Sequence, residues 1–283
     1  MANTIGVIGA GTMGSGITQV AALAGYTVLL YDIEQSALER GIETIKKNLA
    51  KGVEKQKLTA EQSEKAESFI VTTLDFMQLQ NSTTVIEAAS ERLDIKQALF
   101  KRLDELLPHE SIIATNTSSL SITALGAATK RPDRVIGMHF FNPAHIMKLV
   151  EVIKGKETSH TTVSRITSLT KDLGKSPVLA SDTPGFIVNR VARPFYGEAL
   201  RLLGEGVAGI EEIDRIVKKS GGFKMGPFEL MDLIGIDVNL SVSQSVYEQY
   251  FHEARYRPHP IQQQMVDANL LGRKTGKGFY EYE

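Results

Sequence analysis

The chain of 283 residues contains no cysteine and no tryptophan, and only 7% of it is aromatic. Without cysteine there is no thiol nucleophile, no disulfide and no thiolate metal site, so any catalysis falls to nitrogen and oxygen groups. Excess charge is lacking too: 32 Lys and Arg face 33 Asp and Glu, a formal net charge of -1. That balance gives no basic footprint for nucleic acid or for an anionic membrane surface. No apolar run approaches the ~20 residues that span a bilayer. Met1 leads into an apolar stretch without the basic segment and long apolar core of a leader. These absences predict a cytoplasmic protein with no nucleic-acid and no membrane partner. Zinc-ligand spacing, a Ser–His–Asp hydrolase signature and a Walker phosphate loop are missing as well, so no metal is expected.

What is present is an ordinary globular composition, 42% hydrophobic and 23% charged, in a chain long enough for two modest domains. Short apolar or β-branched runs recur at residues 4–8, 27–31, 69–72, 84–88, 112–115, 134–139, 149–153 and 177–180. Most are separated by helical periodicity, as at 12–24, 34–51 and 161–173. Strand and helix in alternation predict a parallel sheet with helices on both faces, because parallel neighbours need crossover connections. The breaker cluster Ser181-Asp182-Thr183-Pro184-Gly185 marks a boundary. Beyond it residues 186–203, 209–219, 228–246 and 260–268 carry helical periodicity. The expectation is an α/β, Rossmann-type doubly wound domain over residues 1–183 and an all-α domain over residues 184–283.

Gly9-Ala10-Gly11-Thr12-Met13-Gly14 fits G-x-G-x-x-G between the first strand and the first helix. Glycine allows the tight turn, the approach of a pyrophosphate to the backbone, and close helix packing, while the helix N-terminus favours phosphate. Asp32, closing the second strand, suits the ribose hydroxyls of NAD and repels the extra phosphate of NADP. A plainer role for Asp32 is to cap the helix that follows. His139, at the carboxyl end of a strand, occupies the edge where doubly wound sheets bind ligands. Histidine is partly neutral near pH 7 and so suits proton removal from an alcohol. The other histidines, 109, 145, 160, 252 and 259, lack that placement. Lys46, Lys47, Lys51, Lys55 and Lys57 form a basic cluster, read either as a solvated face or as a phosphate landing site.

The chain resembles the 3-hydroxyacyl-CoA dehydrogenase family along nearly its whole length. The likeness rests on VIGAGTMGSGITQVAALAG, VIEAASERLDIKQALF, NTSSLSIT, GMHFFNPAHIMKLVEVI, DTPGFIVNR, GPFELMDLIGID and GRKTGKGFYEY, in that order. The resemblance implies an NAD-dependent oxidation of a 3-hydroxyacyl-CoA thioester, with 3-hydroxybutyryl-CoA the expected substrate. It implies that His139 is the catalytic histidine, that Glu151 orients it, and that Ser118 and Asn189 hold the reacting oxygens. Glu91, Lys96, Ser118, Asn142 and Lys274 match positions around the cofactor, and Thr44 and Lys51 match positions that contact coenzyme A. A homodimer is implied through the helical domain, whose apolar faces exceed what ~100 residues bury alone. Two other readings stay open: a dehydrogenase of a free hydroxy acid or sugar acid, and a crystallin-like dinucleotide-binding protein without turnover.

Overall fold

A computed structural model describes residues 4–282. The sequence reading of Met1 as leading directly into a strand concerns a residue outside that range. The chain divides into two compact units, parted between Thr183 and Pro184. The first holds strands β1 (Thr4–Ile8), β2 (Thr27–Tyr31), β3 (Ile70–Thr73), β4 (Thr84–Glu87), β5 (Ile112–Thr115), β6 (Val135–Phe140), β7 (Leu149–Lys154) and β8 (Ser176–Ser181). Its helices are α1 (Thr12–Leu23), α2 (Gln35–Glu54), α3 (Ala60–Ser68), α4 (Leu93–Leu106), α5 (Ile122–Gly126) and α6 (His160–Asp172). The strands form one sheet in the order β3-β2-β1-β4-β5-β6-β7-β8.

Central strands are buried on both faces, which is why they read as continuous apolar runs. All four residues of β4 and of β5 are buried. Ile5, Val7, Val28, Leu30, Ile86 and Met138 pack with Ile17, Val20, Leu38, Ile45 and Leu49 from α1 and α2. Each such side chain contributes about 1.5–3 kcal/mol on leaving water. Every neighbouring pair is parallel except β6 and β7, which are antiparallel. The sheet is thus parallel, as the alternation predicts, but for this one pair. Residues 141–148 hold no helix and are too few for a crossover, so the chain reverses.

Lys175 fastens that reversal. Its buried ammonium donates to the carbonyls of Ala144 at 2.5 Å and Met147 at 2.9 Å. On the other side, α1 meets the same connection where Gly16 lies against Ala144.

The second unit is helical: α7 (Val188–Gly204), α8 (Ile210–Lys219), α9 (Pro227–Ile234), α10 (Ile236–Gln249) and α11 (Pro260–Asp267). The single helix expected over residues 228–246 is two helices, because Gly235 adopts φ +100° and breaks the run. The first helix begins at Val188 and not at Phe186, whose own φ is +49°. Tyr196, Leu200, Ile213, Phe228, Met231 and Ile236 form the core. Asp232 ties the end of the chain to it, accepting from the amides of Phe279 at 3.0 Å and Tyr280 at 2.9 Å and from the Tyr282 hydroxyl at 2.9 Å. Burial and the Asp232 carboxylate push the Tyr282 phenol up to about 12. Among the described residues, no helix is long and apolar enough to cross a membrane.

Burial, with a smaller contribution from Lys148, draws the Lys175 ammonium down to about 8. A free lysine releases its proton near ~10.4. Below pH 8 both folded and unfolded chains carry the charge, and the cost of burying it is fully present. Between about pH 8 and 10.5 the unfolded chain binds the extra proton, so this group makes stability rise with pH. The rise is expected to be about 2–3 kcal/mol and absent from Lys175→Met, read as the parent-minus-variant difference in urea unfolding across that range. A difference independent of pH would refute it.

Candidate active site

Apart from Thr44 and Lys51 on α2, the candidate residues of the first unit lie at or just beyond the carboxyl ends of β1, β2, β4, β5 and β6, or face them from β7 and α4. Gly9 leaves β1 with φ +97°, a conformation that glycine alone adopts without strain. A Cβ on Gly14 would stand 1.7 Å from the Gly9 carbonyl oxygen, so helix and turn approach too closely for any side chain there. A Cβ on Gly11 would meet nothing within 4 Å, leaving open space over the first turn of α1. That turn has no side-chain cap and no acidic residue, so the amides around Thr12, Met13 and Gly14 suit an anion.

Asp32 accepts from the Ala10 amide at 2.7 Å through Oδ2 and from the Glu34 amide at 3.1 Å through Oδ1. The carboxylate therefore holds the glycine turn, and each oxygen keeps a further lone pair for a ribose hydroxyl. The cap of α2 is Glu34, not Asp32. These features fit NAD: a pyrophosphate at the turn and a diol at Asp32.

His139 and Glu151 face each other across the antiparallel pair, in register. The His139 Nδ1 lies 2.8 Å from Glu151 Oε2, with the two residues 6% and 1% exposed. A carboxylate at Nδ1 fixes that nitrogen as the one that carries the proton and donates. The Phe141 ring packs against the imidazole, 4.5 Å between centroids. Asn116 Oδ1 accepts from the Phe140 amide at 2.8 Å, tying the end of β5 to β6.

Ser118 follows β5 and is organised by Glu91. One oxygen of Glu91 accepts from the Thr117 hydroxyl at 2.6 Å, the Ser118 amide at 2.8 Å and the Ser118 hydroxyl at 3.3 Å. Burial works to raise the Glu91 pKa, but the Lys96 ammonium and these hydrogen bonds outweigh it and hold the carboxyl below the usual range. Lys96 itself is 1% exposed. Its ammonium lies 2.6 and 2.7 Å from the two oxygens of Glu87 and 3.6 Å from Glu91. Lys96 thus acts on the neighbourhood through Glu91, and offers a ligand almost no surface of its own. Glu87, fully buried, also accepts from the Ala89 amide at 2.6 Å and the Thr115 hydroxyl at 2.7 Å.

Sequence reasoning missed Glu87, Asn116 and Thr117. A glutamate closing an apolar strand, nine residues before a lysine, was the available signal. Asn142 is exposed on the connection after His139. Thr44 and Lys51 are exposed on α2, where the Thr44 hydroxyl donates to the Arg40 carbonyl at 2.8 Å. Lys46, Lys47, Lys55 and Lys57 share that exposure. In the second unit, Asn189 is half-buried in the first turn of α7. Lys274 pairs with both Asp237 oxygens at 2.6 Å. Among the described residues, no group of three or more His, Asp or Glu is placed to hold a metal ion.

Doubly wound sheet, glycine cradle and acidic strand end define a dinucleotide-binding protein with an appended helical unit. Residues 4–183 match the model of the 3-hydroxyacyl-CoA dehydrogenase NAD binding domain, and residues 185–282 that of the family's C-terminal domain. The chain belongs to the 3-hydroxyacyl-CoA dehydrogenase family. It is 50% identical to 3-hydroxyadipyl-CoA dehydrogenase of Escherichia coli over 99% of its length, and spans 59% of that longer protein. It is 46% identical to 3-hydroxybutyryl-CoA dehydrogenase of Clostridioides difficile, covering 98% of this chain and 99% of the relative. A solved structure of (S)-3-hydroxybutyryl-CoA dehydrogenase from Ralstonia eutropha matches with a TM-score of 0.95 and 43% identity, over 100% of both chains.

Removing one partner of a buried ion pair leaves an uncompensated charge. Glu87→Gln is therefore expected to cost about 3–5 kcal/mol in urea unfolding, and Glu87→Gln with Lys96→Met to recover most of it. A double variant as unstable as the single one would show that packing, and not charge, holds this cluster.

Proposed function

We propose that the chain is an NAD-dependent oxidoreductase interconverting (S)-3-hydroxyacyl-CoA and 3-ketoacyl-CoA, with 3-hydroxybutyryl-CoA and acetoacetyl-CoA as the working pair. The observation that carries this reading is the buried His139–Glu151 contact of 2.8 Å, on the sheet edge that also bears the glycine cradle. NAD in that cradle supplies the nicotinamide carbon that accepts hydride from C3 and returns it in reduction. In oxidation His139 Nε2 removes the hydroxyl proton, and in reduction the protonated ring returns it to the keto oxygen. Glu151 is a positioning residue: it orients the ring and stabilises the imidazolium. Ser118 and Asn189 donate to the reacting oxygens, and Glu91 sets the Ser118 segment.

The exposed lysines on and after α2 suit the phosphates of coenzyme A, with Thr44 and Lys51 as contacts, and Lys274 and Asn142 belong to the cofactor's surroundings. This anionic handle favours a CoA thioester over a free hydroxy acid. The intact His139–Glu151 pair favours turnover over a purely binding role. The second unit leaves Val191, Val207, Ile216 and Phe223 more than half exposed, which supports a homodimer through it. A cytoplasmic setting accords with the absence of cysteine.

Acetoacetyl-CoA-dependent oxidation of NADH tests the reading; failure with every short 3-ketoacyl-CoA would refute it. A histidine base works neutral in oxidation and protonated in reduction, so kcat/KM is expected to rise with pH in one direction and fall in the other. His139→Gln should lose about 10²–10⁴-fold in both directions while binding NADH nearly as the parent does. Retention of the parent's pH limbs by this variant would assign the proton transfer to another group.

Asp32→Ser should weaken NADH binding and relieve the discrimination against NADPH, because one carboxylate supplies both the diol acceptor and the repulsion. Kd values for the two reduced cofactors, measured by fluorescence titration, check this. Unchanged discrimination would remove Asp32 from cofactor choice.

A further inference from the structure

Arg193 stands on α7 four residues after Asn189, hence on the same helix face one turn along, and is 5% exposed. Its guanidinium meets neutral acceptors: Nε donates to the Asn189 carbonyl at 3.2 Å, and Nη1 to the Asn239 carbonyl at 2.8 Å and the Ser243 hydroxyl at 3.0 Å. Nη2 takes part in none of these bonds. No carboxylate among the described residues pairs with it, and burial draws the group down to about 10 with only the Tyr196 ring, 5.1 Å below it, in support. One donor in the same cluster is unspent: Asn239 Oδ1 is taken by Gln262 at 2.8 Å, while the buried Asn239 Nδ2 has no partner.

A buried cation without a counter-ion costs several kcal/mol, and an apolar side chain of similar size would spare the fold that cost. The unspent group is a donor and the cation beside it meets only neutral acceptors, so the missing member is an acceptor carrying negative charge. The proposed reading places the reacting end of the thioester at Asn189, and an anion one turn away then belongs to the acyl chain. A six-carbon acyl chain bears its far carboxylate three carbons beyond C3, a span comparable to one helical turn of roughly 5 Å.

We infer that Arg193, with Asn239, forms a specificity site for the terminal carboxylate of a dicarboxylic 3-hydroxyacyl thioester. This rests on the dehydrogenase reading of the site, and it adds a longer acyl class to the short chains: among six-carbon chains, those ending in carboxylate over those ending in methyl. Planar guanidinium and carboxylate match in a two-point contact, and Tyr196 beneath holds the plane in place.

The test compares adipyl-CoA with hexanoyl-CoA, which have equal carbon number, differ at the chain end and lack the 3-hydroxyl, so neither turns over. Calorimetric titration of the full chain in the presence of NADH is expected to give adipyl-CoA about 10-fold or more the tighter binding. Arg193→Met should weaken adipyl-CoA by about 30-fold or more and abolish the preference, while Arg193→Lys keeps part of it. Asn239→Ala should narrow the preference without reversing it. Equal binding of the two thioesters by the parent overturns the inference, as does a preference that survives in Arg193→Met. If Arg193→Met does not fold, the parent's preference and its reduction in Arg193→Lys and Asn239→Ala decide. Failure of both acetoacetyl-CoA and 3-ketoadipyl-CoA to oxidise NADH would defeat the dehydrogenase reading separately, since the binding ratio is measured without chemistry.

Discussion

The reversal of chain direction between β6 and β7 is the constraint on which the site depends. In an antiparallel pair, residues in register stand directly opposite and their side chains share a face. That relation brings the imidazole of His139 to the carboxylate of Glu151 across strands joined by a short connection. A slip of one residue would send Glu151 to the other face of the sheet. The register is set by packing: Met138 opposite Val152 and Phe140 opposite Val150 are all buried, so a slip would have to repack both faces of the pair at once. Lys175 and Asn116 then fasten the ends, one at the connection and one at the Phe140 amide. The His139–Glu151 geometry thus inherits its precision from strand packing and needs little from the loop.

What could be read from sequence and what could not divide along the range of the interactions. The glycine turn, Asp32 and the alternation of strand and helix are local patterns, legible because backbone sterics and side-chain periodicity act over a few residues. The boundary cluster at residues 181–185 is legible for the same reason. Strand direction is not local. Nothing within residues 149–154 says which way they run, and the clue lay in the shortness of the connection before them. The break at Gly235 was hidden because periodicity on both sides of it is helical and a lone glycine is tolerated in many helices. The capping pair Thr59 and Gln62, which opens α3, was a readable local signal left unused. Glu87 reads as a strand end until the fold sets Lys96 against it, and Lys96 reads as a surface cation until burial shows otherwise.

Lys and Arg side chains that are buried among the described residues number four, and they fall into two kinds. Lys96 faces Glu87, and Arg131 faces Asp104 at 2.6 Å. Lys175 and Arg193 meet only neutral oxygens. Desolvation costs are of the same kind in all four, so the difference lies in compensation, and the paired two can be explained by folding alone. Lys175 holds the connection that follows His139, and Arg193 lies one turn from Asn189, so each sits beside a segment that the chemistry would use. A fold selected for stability alone would replace both with apolar side chains of similar volume. Under the proposed reading both find a use in what neutral side chains cannot supply: positive charge beside a site for thioesters of a polyanion. Lys175 holds the loop after His139 in one conformation, and Arg193 would meet the carboxylate that the proposed substrate brings.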